Sequence, residues 1–363
     1  MGLVLMVGTI LEPLTGRAAL FTVTAHITGD ISMKFLLSIL AFCAAATASA
    51  QTPIKFTSDW RVEGPSVFFL LPLYKGYFKE EGLDVTFDIG TGSAAAIQRI
   101  ASGAYDIGSG DMSALIEYYG NNPGAQAMQA VYQLYESNPG AVFFWKKLNI
   151  KTPKDLEGKR IATSVFDAVY RAFPLVLSAN NMQEGGVKWM VGDPQIKETL
   201  MAKGEADGLL AFYATGLLNL RARGVNLNDV TWFKLADLGV RNMYGNAILV
   251  SSKMIKENPK AVGGFVRAFN KGFKEVVQNP EASIQYAKRR EVLIDEKLEL
   301  ERLKFALEDI NNAAHREAGY GTIRRDKLER QIDDVNRAFK MKTKPSADAI
   351  VNASFLPPAA ERR

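Results

Sequence analysis

A seven-residue pattern with alanine, glycine and aspartate at matching positions recurs 101 positions later, and this repeat constrains the fold more than any other feature. Ile100–Asp106 and Met201–Asp207 each read as the end of a helix, a capping glycine, and an aspartate that enters a strand. Repeated supersecondary units have to be recognised before a fold is assigned. The repeat predicts two α/β lobes of like topology. Chance recurrence of a common helix–glycine–strand turn is the alternative.

Strands alternate with helices around this repeat. Leu83–Ile89 has an apolar side chain at every second position, which is typical of a half-buried strand. Gly90–Ser93 then opens a helix that runs to Gly103. Strands that alternate with helices favour parallel sheets, so the predicted fold class is α/β.

The N-terminal region carries an export signal. Met33–Ala50 contains a lysine, an apolar run over 35–46 and a small-x-small ending, a combination typical of a secretory signal peptide. We expect cleavage after Ala50, and we interpret residues 1–32 as an extension upstream of the true initiator. The cleaved chain, 51–363, is longer than the roughly 250–300 residues at which single cores stop growing, which also predicts two lobes.

Two kinds of membrane attachment are alternatives to cleavage. The apolar run is shorter than the roughly 20 residues that a bilayer-spanning helix needs, which disfavours a membrane anchor. A lipid anchor on Cys43 would need a small residue before it, and Phe42 stands there. We therefore expect a periplasmic protein.

The scarcity of cysteine and histidine excludes several kinds of chemistry. Cys43 is the only cysteine, and His26 and His315 are the only histidines. After Ala50 there is no residue for a disulfide or a Cys-ligated metal, and any His-dependent triad would have to use His315. That histidine is predicted to lie in a charged surface helix. We therefore expect no catalytic residue, no metal and no cofactor.

The charge argues against a nucleic-acid partner. The net charge is +5, and no dense Lys/Arg block with interleaved aromatic residues is present in the sequence.

The C-terminal part is predicted to be helical. Asn258 and Pro259 are typical of an N-cap and the first helical position. Apolar stripes at helical spacing follow, at 262–276, 300–310 and 328–339, and they are typical of core packing. Pro357–Arg363 is expected to be a frayed end.

Several blocks resemble one group of solute-binding proteins. Gly76–Val85, Gly103–Gly108, Lys154–Ala162, Tyr244–Val250 and Glu257–Val262 are similar, in this order, to motifs of the nitrate/sulfonate/taurine and thiamine-pyrimidine group. The similarity covers roughly 54–290. It is specific for the fold and for a binding role, and weak for the ligand.

The resemblance implies a type II periplasmic binding protein, with two doubly wound lobes and a hinge. Lobe I would comprise 51–138 and 245–363 with the C-terminal helices, and lobe II 139–244. Such proteins close over one small solute and deliver it to an ABC permease and ATPase. We expect a monomer.

Ligands of open α/β sheets bind at the carboxyl ends of the strands, which selects the polar turns there. Candidates in lobe I are Asp59, Trp60, Arg61, Thr91, Gly92, Ser93, Ser109 and Asp111. Candidates in lobe II are Thr163, Ser164, Phe166, Phe212 and Tyr213. The resemblance implies that the chain crosses between the lobes near Ser137–Gly140 and Arg241–Asn246, and the candidates near these crossings are Tyr132, Tyr135, Asn242 and Tyr244. The alternatives are core packing, solvated charges, helix capping and packing at the hinge.

The aromatic candidates suit a planar ring or a cation. A ring-bearing solute resembling the thiamine-pyrimidine precursor is the first expectation, and sulfonates or taurine, aromatic carboxylates and flavins are alternatives. A sensor or receptor-docking protein of the same fold is a further alternative. An enzyme that makes the thiamine pyrimidine is the main rival, and the resemblance implies that it would need cysteines and a reactive histidine.

Overall fold

The computed structural model describes residues 51–125, 127–241 and 243–363, together with a two-residue strand pair that joins Ile10–Leu11 to Ala18–Ala19. The chain divides into the units Met1–Ala50 and Gln51–Arg363. The predicted signal peptide, Cys43, His26 and the upstream extension apart from that strand pair fall outside the described residues. No helix of the described part is long and apolar enough to cross a membrane.

The unit Gln51–Arg363 contains two five-stranded sheets. The strands of the first are β1 (Thr52–Thr57), β2 (Leu83–Asp88), β3 (Ile107–Asp111), β4 (Met128–Gln133) and β10 (Asn246–Ser251). The strands of the second are β5 (Gly140–Trp145), β6 (Arg160–Thr163), β7 (Lys188–Val191), β8 (Gly208–Phe212) and β9 (Val230–Lys234).

The two sheets have the same strand order. The first runs β2-β1-β3-β10-β4 and the second β7-β6-β8-β5-β9. In each, the first three strands are parallel and the fourth is antiparallel to both of its neighbours. Strands β3 and β8 keep the spacing of the sequence repeat, since Ile107 corresponds to Gly208. The prediction of two α/β lobes of like topology is confirmed.

Helices cover these sheets and form the C-terminal region. They are α1 (Val67–Tyr74), α2 (Tyr77–Glu80), α3 (Ser93–Ala101), α4 (Met112–Asn121), α5 (Ala168–Ala179), α6 (Lys197–Ala202), α7 (Tyr213–Ala222), α8 (Ser252–Glu257), α9 (Pro259–Gln278), α10 (Pro280–Ser283), α11 (Gln285–Arg290), α12 (Glu296–Ile310), α13 (Ala313–Ala318), α14 (Arg325–Phe339) and α15 (Ala347–Ile350).

The core of lobe I forms where α9 meets the first sheet. Phe265, Phe269 and Phe273 of α9 are each at most 1% exposed, and Phe265 stacks on Phe56 of β1 with ring centroids 5.9 Å apart. Helix α9 begins as predicted, because the Asn258 side chain accepts a hydrogen bond from Ala261 N and Pro259 takes the first helical position.

His315 is buried, and the prediction of a surface position is wrong. Its Nδ1 lies 2.8 Å from Ile310 O, its Nε2 accepts a hydrogen bond from Gly321 N, and the residue is 1% exposed. Burial lowers the pKa of the imidazole, which stays neutral near pH 7.

The C-terminal end is also fixed in place, so the prediction of a frayed end is wrong. The guanidinium of Arg362 donates to the carbonyl oxygens of Pro357, Gly319 and Tyr320 and to Thr322 Oγ1, at 2.6–3.0 Å. The side chain is buried because these acceptors satisfy its donors.

Arg362→Ala should lower the free energy of unfolding by about 2 kcal/mol, because the substitution leaves buried carbonyl groups without a donor. Urea denaturation followed by circular dichroism measures this change. Arg363→Ala alters the exposed neighbour and serves as the control, with an expected effect of less than about 0.5 kcal/mol. Equal stabilities of the two variants would contradict this account of the C-terminus.

Candidate functional site

A cavity of about 110 Å³ lies between the two sheets of the unit Gln51–Arg363. Lobe I contributes residues that follow β1 and β4, together with Gly92 and Ser93 at the start of α3. Lobe II contributes residues at the starts of α5, α6 and α7. Asn246, the first residue of the returning strand β10, and three residues of α12 complete the wall.

Asp59 is held by hydrogen bonds from three directions. Ser109 Oγ donates to Asp59 Oδ1 at 2.6 Å, and Ser93 Oγ and Asn246 Nδ2 donate to Oδ2. Burial raises the pKa of the carboxyl group, and these donors oppose that shift. The group is a strong acceptor at the junction of β1, β3 and β10.

Trp60 provides an aromatic surface that both lobes approach. Its ring lies 5.2 Å from Lys197 Nζ of lobe II and 5.8 Å from the guanidinium of Arg61. Trp60 Nε1 donates to Glu63 Oε1 at 3.3 Å. Phe68, Phe69, Tyr135 and Phe212 add further aromatic rings to the wall.

The cations of the cavity are already paired. Lys197 Nζ lies 2.5 Å from Asp167 Oδ2, and the two side chains are 2% and 7% exposed. Arg61 Nε donates to Glu63 Oε1 at 3.0 Å, and Arg61 Nη1 donates to Gln195 Oε1 of lobe II. Four carboxylates and two cations therefore line the wall: Asp59, Glu63, Asp167 and Asp309, with Arg61 and Lys197. This balance disfavours an anionic ligand and favours hydrogen-bond donors.

Seven of the predicted residues line the cavity. They are Asp59, Trp60, Arg61, Gly92, Ser93, Tyr135 and Phe212.

Other predicted residues in lobe I lie outside the cavity wall. Ser109 acts through its hydrogen bond to Asp59, and Thr91 is exposed beside Gly92. Asp111 caps α4, because its Oδ1 accepts from the backbone N–H groups of Ser113 and Ala114 at 2.8 and 3.2 Å.

The remaining predictions in lobe II and near the crossings divide between the cleft rim and the core. Phe166 is 37% exposed, whereas Thr163 and Ser164 are buried, and Tyr213 stacks on Phe143. Tyr132 donates to Asn270 Oδ1 in the core of lobe I. The hydroxyl of Tyr244 accepts from Arg324 N, which fits packing near the crossing. Asn242 falls outside the described residues.

Sequence reasoning missed several residues of the wall. Asp167 precedes a helix and has the signal of an N-cap, and its Oδ1 accepts from Val169 N at 2.8 Å. Asn246 stands within the block Tyr244–Val250 that carries the family resemblance. Ala306, Asp309 and Ile310 come from α12, and only Ile310 belongs to the apolar stripe that predicts core packing.

Comparison with known proteins places this architecture in a family. A family model described as NMT1/THI5 like matches residues 66–283. The chain belongs to the NMT1/THI5-like family. This confirms the resemblance seen in the sequence, and the matched segment ends with α10, before α12 and α14.

Two relatives of this protein have names that describe them as binding proteins. The formylaminopyrimidine-binding protein of Halalkalibacterium halodurans is 25% identical over 259 residues, which cover 70% of this chain and 76% of that protein. The riboflavin-binding protein RibY of Chloroflexus aurantiacus is 27% identical over 215 residues, which cover 57% of each protein.

A solved structure agrees with the predicted fold. A Candida albicans protein described as exhibiting the generic periplasmic binding protein structural fold superposes with a TM-score of 0.64 at 14% identity. The match covers 85% of this chain and 98% of that one. The prediction of a two-lobed periplasmic binding protein fold is confirmed for this member of the NMT1/THI5-like family.

Gly92 lies where lobe I touches lobe II, so Gly92→Ala should hold the lobes apart. A Cβ atom at this position would lie 2.1 Å from Phe166 O. Small-angle scattering should show a larger radius of gyration than for the wild type. Gly103→Ala is the control, because Gly103 also has a positive φ, of 78°, but a Cβ there meets nothing within 4 Å. If both variants have the radius of gyration of the wild type, the approach of Gly92 to Phe166 does not limit closure.

Asp111 should make stability depend on pH. Burial raises the pKa of its carboxyl group from 3.8 to about 7 in the folded protein. Between these pH values the folded state holds a proton that the unfolded state has lost, so the contribution of Asp111 to stability falls as the pH rises.

Urea denaturation of the wild type and Asp111→Asn across this range measures the effect. The free energy of unfolding of the wild type, minus that of the variant, should decrease from about pH 4 to about pH 7 and level off outside that window. A difference that does not change with pH would show that the carboxyl group titrates alike in both states.

Proposed function

We propose that this protein is the solute-binding component of an ABC importer, and that it captures a small ring-bearing solute with hydrogen-bond donors, of the thiamine-pyrimidine kind. One observation carries the proposal: Trp60 and the Asp59–Asn246 pair line one cavity between two lobes. Family membership supports the binding role. The name of the relative from Halalkalibacterium halodurans supports an aminopyrimidine as the solute.

The polar wall suits an amino group. Asn246 Nδ2 donates to Asp59, while Asn246 Oδ1 is buried and has no hydrogen-bond partner among the described residues. A buried acceptor without a donor is costly, so a solute that donates to Asn246 Oδ1 or to the carboxylate of Asp59 would be bound favourably. A sulfonate or carboxylate would instead bring more negative charge to a wall that already holds four carboxylates.

The size of the cavity favours one ring over several. Sites for drug-sized ligands enclose roughly 300–1,000 Å³, and this cavity encloses about 110 Å³. A single pyrimidine ring fits that volume better than a flavin does. Riboflavin, the solute named for RibY, is therefore the second candidate.

The proposal includes export and partners. After cleavage of the signal peptide following Ala50, the protein would act in the periplasm as a monomer. It would deliver its solute to a permease and ATPase complex in the inner membrane. The small-x-small ending Ala48–Ala50 supports that cleavage site. A sensor of the same fold stays the alternative.

The protein is proposed to bind without catalysis. His315, the only histidine after Ala50, is buried in the C-terminal region, with both ring nitrogens in hydrogen bonds. It therefore lacks the access to a solute that a reactive histidine needs.

Trp60→Ala should weaken binding of formylaminopyrimidine about tenfold or more, because the ring loses its aromatic partner. Titration calorimetry of the purified protein measures the affinity, after a melting-temperature screen with aminopyrimidines, riboflavin, aromatic carboxylates and alkanesulfonates. Binding to the folded state should raise the melting temperature. Trp145→Ala, at the end of β5 and outside the cavity wall, is the matched control.

Three results would count against this assignment. A melting shift with sulfonates alone would overturn the ligand class. If Trp60→Ala and Trp145→Ala bind formylaminopyrimidine with equal affinity, the ring of the solute does not pack against Trp60. No shift at millimolar concentration with any of these solutes would contradict solute capture itself.

A further inference from the structure

Helix α12 belongs to the core of lobe I and also lies along α7 of lobe II. Its residues Leu303, Ala306 and Ile310 are buried in the hydrophobic core that contains β1 and α9. On another side of the helix, Phe305 contacts the ring of Tyr213 edge to face, with centroids 5.9 Å apart. The helix thus bridges the cleft, outside the segment that the family model matches.

Arg302 stands at the crossing of the two helices and is 1% exposed. A guanidinium carries five N–H donors, and all five have acceptors here. Two bonds stay within α12, from Nε and Nη2 to Glu299 at 2.7 and 3.0 Å. Nη1 donates to Ala214 O and Thr215 O at 3.3 and 3.2 Å, and Nη2 donates to Asn219 Oδ1 at 2.9 Å. Three of the five bonds therefore cross from lobe I to lobe II.

The same group reaches the cavity wall. Arg302 Nε lies 3.7 Å from Glu63 Oε2, which also accepts a hydrogen bond from Thr215 Oγ1 at 2.7 Å. Burial opposes ionisation of Glu63, but the charges of Arg302 and Arg61 outweigh it and lower the pKa of the carboxyl group. Gly64 N donates to Glu299 Oε2 at 2.6 Å. One cation thus connects α7, α12 and the turn at Glu63.

We propose that Arg302 is a positioning residue that sets how long the solute is retained, by holding α7 of lobe II against α12 of lobe I. The proposal rests on the proposed function, in which the lobes open and close around a solute. Opening would break the three bonds to lobe II and separate Thr215 from Glu63, both of which line the cavity. Closure and the shape of the cavity wall are therefore coupled through one side chain.

The buried hydrogen bonds of Arg302 should stabilise the closed arrangement as a group. Burying a charge is costly, and its partners repay that cost only when the geometry is good. The closed arrangement supplies all five acceptors, whereas the open one leaves three donors to water. A small displacement of α7 thus loses several bonds together, which favours two discrete states over a gradual opening.

An exposed ion pair between the same helices offers a matched control. Arg221 of α7 pairs with Glu301 of α12, with side chains 42% and 40% exposed. Exposed pairs contribute roughly 0–1 kcal/mol, so Arg221→Gln tests the effect of losing an interlobe charge without losing the buried network.

The experiment compares Arg302→Lys, Asn219→Ala and Arg221→Gln with the wild type. Lysine keeps the charge beside Glu299 and Glu63 but lacks the fork of donors that spans to α7. Small-angle scattering and hydrogen exchange at 213–222 are measured without ligand. Stopped-flow fluorescence then gives the association and dissociation rates of formylaminopyrimidine, or of the solute found in the melting screen.

We expect Arg302→Lys and Asn219→Ala to show a larger radius of gyration and faster exchange in α7 without ligand. Dissociation of the solute should be about tenfold faster or more, while the association rate changes less than about threefold, because most affinity differences lie in the dissociation rate. Arg221→Gln should match the wild type in each measurement. A residue that only stabilised the fold would lower the melting temperature without this separation of the two rates.

The proposal is overturned if Arg302→Lys and Asn219→Ala match the wild type in radius of gyration, in hydrogen exchange of α7 and in the dissociation rate of the solute. An equal effect of Arg221→Gln would also overturn it. If Arg302→Lys fails to fold, Asn219→Ala decides the question, because it leaves the Arg302–Glu299 pair of lobe I intact. If the wild type binds no solute, the proposed function fails, and the ligand-free scattering and exchange still decide whether Arg302 holds the lobes together.

Discussion

The rest of the structure depends on two crossings of the chain between the lobes, each of which adds an antiparallel strand to the interior of a sheet. Strand β10 enters the first sheet from lobe II and lies between β3 and β4, and β5 enters the second sheet from lobe I and lies between β8 and β9. Each sheet is therefore complete only with a strand that the chain brings across the cleft. Because these strands are hydrogen bonded on both sides, each crossing of the chain is anchored in a sheet. The cavity forms where the crossings meet the carboxyl ends of the parallel strands.

The crossing strands also bring the key side chains together. Asn246 is the first residue of β10, and its side chain reaches Asp59, which follows β1 and lies 187 positions earlier in the chain. Tyr135 follows β4, and Phe212 ends β8, where their rings approach to 5.9 Å. A return strand thus sets the position of the acceptor pair, and the aromatic residues follow from the same geometry.

The sequence allowed prediction of the parts that obey local rules. Asp59 and Trp60 follow β1 closely and Phe212 ends β8, and the rule for open sheets brings such residues to the cleft. It could not show that α12 would supply Asp309, because the apolar stripe of that helix fits core packing equally well, and only the tertiary structure shows which residues face the cavity. The surface prediction for His315 followed its charged neighbours, but Ile310 O and Gly321 N satisfy its ring in the interior. Long-range partners of this kind leave no local pattern.

Pairing of buried charges connects the fold to the chemistry of the ligand. Lys197 is neutralised by Asp167, and Arg61 and Arg302 face Glu63, so these cations already have partners before a solute enters. Asp59 differs, since its described partners are the hydroxyl groups of Ser93 and Ser109 and the amide of Asn246. A carboxylate that is held by neutral donors and raised in pKa by burial gains most from a further donor, and a charged or amino-bearing ring can supply one. Among the described residues, the buried cations are thus paired within the protein, whereas Asp59 and the unpartnered Asn246 Oδ1 leave acceptors at the cavity wall.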